Sequence, residues 1–332
     1  MAVEVYFDLV CPWAWIARRR LATALARLGP DAPAVAWRPI LLDPTAPAVS
    51  TSLADSPEAE AAHLQSVPGF TIDLVKQRVA ELATAEGLPT PVPAWRVATW
   101  AAHRLVQAAG QLAADLQSVV IDEVMDAHFA GRDINERGFL RELAERHGLR
   151  PPLEVAGATH APAYLEPGFD PLDPAERLTR EAFWAGRATD VSSSPTLVVD
   201  GRPLAGVHTV ETILEHLRGA GQDDRELPDE VCRFRLAEAL LDRRDPHGCL
   251  YVLAPLLPQF DGEPNLELLS ARALVATASL VPARDKLERL LASRPDDAYL
   301  HHLLGRTLRR LGDERAPVHL AIAAALDPGY AA

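Results

Sequence analysis

Residues 3–25, VEVYFDLVCPWAWIARRRLATAL, must change backbone state within a few positions. Val3 to Phe7 is β-branched, aromatic and alternating, which suits a half-buried strand. Trp15 to Leu25 carries apolar residues at helical spacing beside the polar run Arg18, Arg19, Arg20. The turnover point places Cys11 at a helix N-terminus, with Pro12 in the first turn, where its missing N–H costs nothing. Unpaired N–H groups and the positive end of the helix dipole favour a thiolate there. The junction therefore predicts a lowered Cys11 pKa and a nucleophilic sulfur, with Asp8 the one acidic neighbour in opposition.

Downstream, the order of elements narrows the fold. A second extended run spans Val35 to Leu41, and a Pro/Ser/Thr-rich stretch follows from Asp43 to Pro57. Amphipathic helices are then expected at Ile72–Glu86, Ala94–Ala109, Asp115–Phe129 and Glu136–His147, parted by GLPTPVP, GQ and GRDIN. A looser segment from Pro151 leads to a helix near Ala175–Arg187. SSSPTLVVDGRPLAG then reads as two strands about an Asp200-Gly201 turn, and Thr209 as the N-cap of a closing helix. Strand, helix, strand, helices, hairpin, helix is the order of an α/β thioredoxin fold, because a parallel pair needs a crossover and the hairpin adds antiparallel strands. The helical insertion is expected at about residues 55–165, and this domain at 1–221.

Beyond the polar linker GAGQDDRELP only helices are indicated. LGRTLRRLGD at Leu304–Asp313 and LDP at Leu326–Pro328 resemble a tetratricopeptide repeat, and Pro295 precedes Pro328 by 33 residues against the 34 of such repeats. LAEALLDRRD at Leu236–Asp245 echoes the pattern. About three helical hairpins are expected over 228–332, an all-α, tetratricopeptide-like domain whose stripes such as Leu287, Leu290 and Leu291 face neighbouring hairpins. Pro317 stands where a small helical residue is usual, which would delay the last helix. Such a layer is expected to contact a protein partner or a second copy.

A net charge of −13 without a basic stripe makes nucleic acid and anionic membrane poor partners. No run reaches the roughly 18 apolar residues of a membrane helix, and no charged-then-apolar leader precedes the first strand, so a cytoplasmic location is expected. The cysteines are Cys11, Cys232 and Cys249, too far apart for a disulfide framework or a metal cluster. Two lysines against thirty-one arginines suggest a high-GC bacterial genome.

FDLVCPWAW with the distant SSSPTLVVDG resembles the DsbA-like branch of the thioredoxin superfamily, in particular the FrnE-like proteins and the mycothiol-dependent nitroreductases, over Val3 to Leu217. The resemblance implies that Cys11 is the nucleophile. It also implies a cis Pro195 facing the sulfur from a neighbouring loop, with the backbone of Ser194 presented for strand-like pairing with a substrate. Pro12, Trp13 and Ala14 complete the implied substrate and thiol site, with no metal and no tightly bound cofactor. Read without the resemblance, Cys11 is a buried small hydrophobe and Ser192 to Ser194 a plain polar loop.

Ala14 departs from the family pattern. Members with two cysteines use the second to expel product from a mixed disulfide on the first, and a methyl group cannot. Three readings follow. A low-molecular-weight thiol, mycothiol or glutathione, acts as co-substrate and resolves the adduct of a small disulfide or electrophile. Alternatively, Cys11 acts without redox change, as does the serine of the kappa-class glutathione transferases and 2-hydroxychromene-2-carboxylate isomerases, which this region resembles in architecture. In the third, the alanine replaces a cysteine so as to trap an adduct. A different class of function, a peptide-binding or chaperone-like module, needs no cysteine at all. Trp13 is expected exposed beside the sulfur, and Trp15, Trp95 and Trp100 in the core, the last two on an insertion helix covering the cleft. His103 and His208 are the histidines expected to approach the site, and neither is expected to be a base.

Overall fold

The computed structural model describes residues 3–65, 71–149, 174–189, 191–219 and 228–330. Residues 3–219 of these form one compact unit and residues 228–330 a second. The expected loop from Pro151 and the linker before Pro228 lie outside the described residues, apart from their ends.

In the first unit, β1 (Val3–Phe7) leads through Asp8 to Val10 into α1 (Pro12–Leu28), and β2 (Val35–Pro39) returns parallel to β1 with Val5 opposite Trp37. The insertion runs through β3 (Thr51–Ser52), α2 (Pro57–His63), α3 (Ile72–Ala85), β4 (Trp95–Arg96), α4 (Trp100–Leu112), α5 (Ala114–Phe129), α6 (Arg137–Arg146) and α7 (Pro174–Ala188). The chain closes with β5 (Thr196–Val199), β6 (Arg202–Ala205) and α8 (Val210–Arg218), and the sheet order is β2-β1-β5-β6. β5 runs antiparallel to both neighbours. Asp200 and Gly201 both have positive φ, as a two-residue hairpin turn requires, and the Thr209 side chain accepts the Thr212 N–H to cap α8.

β1 is buried along nearly its whole length instead of on one face. Only Glu4 is half-exposed, paired with Arg38 of β2 at 3.0 Å. Helices α1 and α8 pack together, and α7 packs on β2. Tyr6 lies so close to Gly186 of α7 that a Cβ there would meet its ring at 2.7 Å. The insertion docks on α1 through two polar pairs inside an apolar contact. Trp15 Nε1 donates to Asp126 at 2.7 Å, and Arg18 forks onto Asp122 at 2.6 and 2.9 Å while lying 4.6 Å over the Trp37 ring. α4, buried on almost every side, meets α7 at Glu176, which accepts from Trp100 and pairs with Arg104 and Arg180.

Two expectations fail here. The insertion is not all helix, because Trp95 and Arg96 pair with Ser52 and Thr51 as a short ribbon. Residues 94–99 thus precede α4 instead of opening it, since the prolines at 91 and 93 hold the approach extended and Leu53 N–H bonds Ala94 O. Trp95 is accordingly exposed, its indole N–H donated to Gly131 O, whereas Trp15 and Trp100 are buried.

The second unit is three helical hairpins: α9 (Asp229–Asp242) with α10 (Pro246–Leu253), α11 (Pro264–Ala276) with α12 (Leu280–Ser293), and α13 (Ala298–Leu311) with α14 (Ala316–Leu326). Leu287, Leu290 and Leu291 are buried with Leu300, Leu304 and Leu308 in one core. Gly305 lets α14 approach, since a Cβ there would stand 2.8 Å from Leu320. Pro317 does not delay the last helix, which starts at Ala316 with the proline in its first turn, where no N–H is needed.

Replacing Gly186 with valine should lower stability. Helix propensity favours valine over glycine by a few tenths of a kcal/mol, whereas overpacking against the fixed Tyr6 ring costs roughly 1–3 kcal/mol. Urea unfolding of Gly186→Val against the unsubstituted protein measures the difference, and the same substitution should cost less in a Tyr6→Ala background than in the unsubstituted protein.

Candidate functional site

Three segments meet at the sulfur. Cys11 is the N-cap of α1, and its Sγ accepts the Ala14 N–H at 3.4 Å. Its thiol donates to Ser194 O at 3.2 Å, and the Ser194-Pro195 peptide is cis. The two loops are also tied behind the sulfur, where Asp8 N–H donates to Ser194 Oγ at 2.9 Å and Cys11 N–H to Asp8 O at 3.1 Å. Pro12, Ala14, Ser194 and Pro195 are all buried around Cys11, so the expected site residues converge. Trp13 differs: it is half-buried, and its indole N–H is committed to Leu64 O at 2.7 Å. That bond holds the end of α2 over the site.

The third segment was not legible in the sequence. Gln65, just past α2, donates from Nε2 to Ser194 O and to Cys11 Sγ at 3.4 Å, and its Oε1 accepts the Ser194 N–H at 3.1 Å. The result is a sealed sulfur, with Cys11 0% exposed. Burial pushes the thiol up to about 12, and Asp8 adds to the rise. The Ser194 side chain and the backbone N–H groups of Ala14 and Trp13 oppose it without prevailing. The expected lowering is thus reversed in the resting protein, because desolvation of a thiolate outweighs a few helix-end N–H groups.

Asp8 is buried behind the sulfur. Burial pushes its carboxyl up, but contact with His103, whose Nε2 lies 3.4 Å from Oδ1, and the Leu42 N–H at 2.7 Å hold it below the ordinary value. His103 is therefore one layer behind the sulfur, and His208 is bound to Ala205 O at 2.8 Å. His63 and His128, 3% and 1% exposed, have no hydrogen-bond partner on either ring nitrogen, and neither has His103 apart from its 3.4 Å contact with Asp8. His63 and His128 line a cavity of about 400 Å³ that abuts Val10 and Pro12, the neighbours of Cys11, with Leu53, Leu64, Val79 and Phe129 among its apolar walls. Burial lowers both pKa values, that of His128 to about 3, so both imidazoles are neutral at pH 7. His63 and His128 stand 65 positions apart in chain order, and no local motif marks either.

Among the described residues no group of three or more His, Cys, Asp or Glu is placed to hold a metal ion, and no helix is long and apolar enough to cross a membrane. Cys232 is exposed and Cys249 buried, both in the second unit.

Comparison with curated proteins gives no significant match. Among solved structures, a probable DsbA oxidoreductase from Streptomyces coelicolor is 23% identical, with 69% of this chain and 94% of that chain covered and a TM-score of 0.51. A 2-hydroxychromene-2-carboxylate isomerase is 17% identical over 70% of this chain and 97% of that one, with a TM-score of 0.43. The Streptomyces likeness concerns the fold. The model of the DSBA-like thioredoxin domain matches residues 2–218, the whole of the first unit's strand, sulfur, insertion and hairpin sequence, and the chain belongs to that family.

Proposed function

We propose that the first unit is a monothiol oxidoreductase acting on a low-molecular-weight thiol, mycothiol or glutathione, and a small disulfide or electrophile. The carrying observation is that Cys11 Sγ, the Ala14 N–H and the Ser194 carbonyl converge within 3.4 Å, while position 14 offers no second sulfur. Cys11 attacks one sulfur of RS–SR. The old S–S bond breaks, RS⁻ leaves and takes up the proton Cys11 gave, and Cys11–S–S–R remains. A second thiol R′SH then attacks the R sulfur, releasing RS–SR′ and returning Cys11 to the thiol.

The cavity beside Pro12 supports an apolar, uncharged R group or electrophile. Its walls are largely apolar, and the one cation among its described lining residues, Lys76, is paired with Glu60 at 2.6 Å, while the buried Asp8 charge is felt at both His63 and His128. A neutral imidazole offers one donor and one acceptor, and leaving a buried polar group unpaired costs about 1–3 kcal/mol. A carbonyl or hydroxyl on the ligand would relieve that cost.

The test is mass spectrometry with peptide mapping after exposure to a small disulfide. A stable one-to-one adduct on Cys11 is expected, without catalytic insulin reduction, and insulin turnover like that of a dithiol thioredoxin would sink the reading. With the thiol held high, the rate of adduct formation should climb about tenfold per pH unit from 7 to 9 without the levelling a thiol of pKa about 8.5 shows. Ala14→Cys should confer insulin-reducing turnover, since its sulfur would stand one helical turn from Cys11.

We also propose that the second unit is a tetratricopeptide-like layer for protein contact. The first helices of its hairpins start at Asp229, Pro264 and Ala298, steps of 35 and 34 residues, which supports the repeat reading. A chain ending at Gly221 should stay soluble and keep Cys11 reactivity while losing a partner or dimer contact by light scattering. Aggregation of that fragment, or loss of the reactive thiol, would show the hairpins to complete the catalytic unit's core.

A further inference from the structure

We propose that Gln65 is a specificity-determining residue: its carboxamide occupies the pairing edge of Ser194 in the resting protein and yields readily only to a cysteinyl unit that brings its own amide N–H and C=O. The inference rests on the monothiol reading and names the substrate class of that site.

The geometry carries it. One side-chain amide satisfies both the N–H and the C=O of Ser194, as a residue of an added antiparallel strand does with its main chain. A carboxamide has a donor and an acceptor at the needed separation, and a carboxylate has no donor. The same Nε2 lies 3.4 Å from Cys11 Sγ, so the group that fills the pairing edge also covers the sulfur. A reactant approaching from that side must displace it.

Gln65 is placed to be displaced. It is half-buried, whereas Cys11 and Ser194 are 0% and 1% exposed. Its main chain is anchored, with Leu64 O accepting from Trp13 Nε1 and Gln65 N–H donating to Ala62 O at 3.0 Å. Displacement is therefore a rotation of one flexible side chain over a fixed base. Its φ of 48° is uncommon for a residue with a side chain, which fits a main chain set by the site around it.

The chemistry then selects. A disulfide whose two halves lack amides reaches the sulfur only by leaving the Ser194 N–H without a partner in a buried place, which should slow it about tenfold or more. A cysteinyl unit with an acylated nitrogen and an amidated carboxyl restores both bonds as it evicts Gln65. Because burial raises the thiol, eviction also matters to the sulfur: what replaces Gln65 determines whether a thiolate can form.

The experiment compares bis(2-hydroxyethyl) disulfide with the symmetrical disulfide of N-acetylcysteinamide, both uncharged, on the full chain. Rates of adduct formation at Cys11 are read by peptide mapping and divided by those of free cysteine. The unsubstituted protein should prefer the amide-bearing probe about tenfold or more. Gln65→Ala should speed the hydroxyethyl probe and collapse that preference, and Gln65→Glu, which cannot donate to Ser194 O, should also weaken it. An unchanged preference in both variants overturns the proposal, as does an equal rise for both probes. If neither probe forms an adduct in any of the proteins, the monothiol reading fails. Gln65 is then read by N-ethylmaleimide alkylation of Cys11, which should rise in Gln65→Ala, and an unchanged rate overturns its role. A disulfide-linked hexapeptide separates the sources of the cysteinyl unit: faster reaction than the small amide probe points to a polypeptide, and equal or slower reaction to a small thiol.

Discussion

Everything at the site hangs on Ser194. Its hydroxyl accepts from Asp8 and its carbonyl from Cys11, so one residue joins the carboxyl end of β1, the start of α1 and the entry to β5. β1 is central in the sheet and buried, so these ends are fixed by strand pairing on both sides. A thiol anchored in this way has little positional freedom. Its reactivity is set by what surrounds it.

Two opposed electrostatic effects act on that thiol, and their balance depends on cover. Helix-end N–H groups stabilise a thiolate by a few charge-assisted bonds, each worth about 1.5–3 kcal/mol. Removing the sulfur from water costs more than that when the site is closed, and the neighbouring Asp8 charge works in the same direction. Asp8 stays ionised because Leu42 N–H and His103 serve it, which keeps a fixed negative charge behind the sulfur. The helix terminus therefore sets a potential for nucleophilicity that the closed site suppresses.

How much of this could be read from the chain follows from how local each signal is. The strand-to-helix turnover at Cys11, the Asp200-Gly201 hairpin and the Thr209 cap depend on neighbours in sequence, and each stands where its residues put it. The helices α3, α5 and α6 start and stop within a residue or two of their periodic runs. α4 does not, because β4 pairs with residues more than forty positions earlier, and no local pattern carries that contact. α2 falls between the Pro/Ser/Thr-rich stretch that ends at Pro57 and the periodic run from Ile72, where no helix is expected, and with it went Gln65 and His63. The reversal at Cys11 has the same root: the cover comes from positions 64, 65 and 194, which sequence spacing cannot bring together.

The absence of a sulfur at position 14 and the presence of the Gln65 amide are complementary. A dithiol protein limits a wrong encounter by expelling the adduct with its own second thiol. On the proposed monothiol reading, an adduct with alanine there lasts until an outside thiol arrives, so selection would have to act before the first bond forms. A thiol held near 12 has roughly three-thousandfold less thiolate at pH 7 than one at 8.5, which slows indiscriminate attack, though by less than that factor because a more basic thiolate is the stronger nucleophile. On the same proposal, a ligand that opens the site and supplies the bonds Gln65 gives up would recover that reactivity at the moment of binding. The buried sulfur and the alanine would then act together, with discrimination residing in the uncovering of the Cys11 thiol.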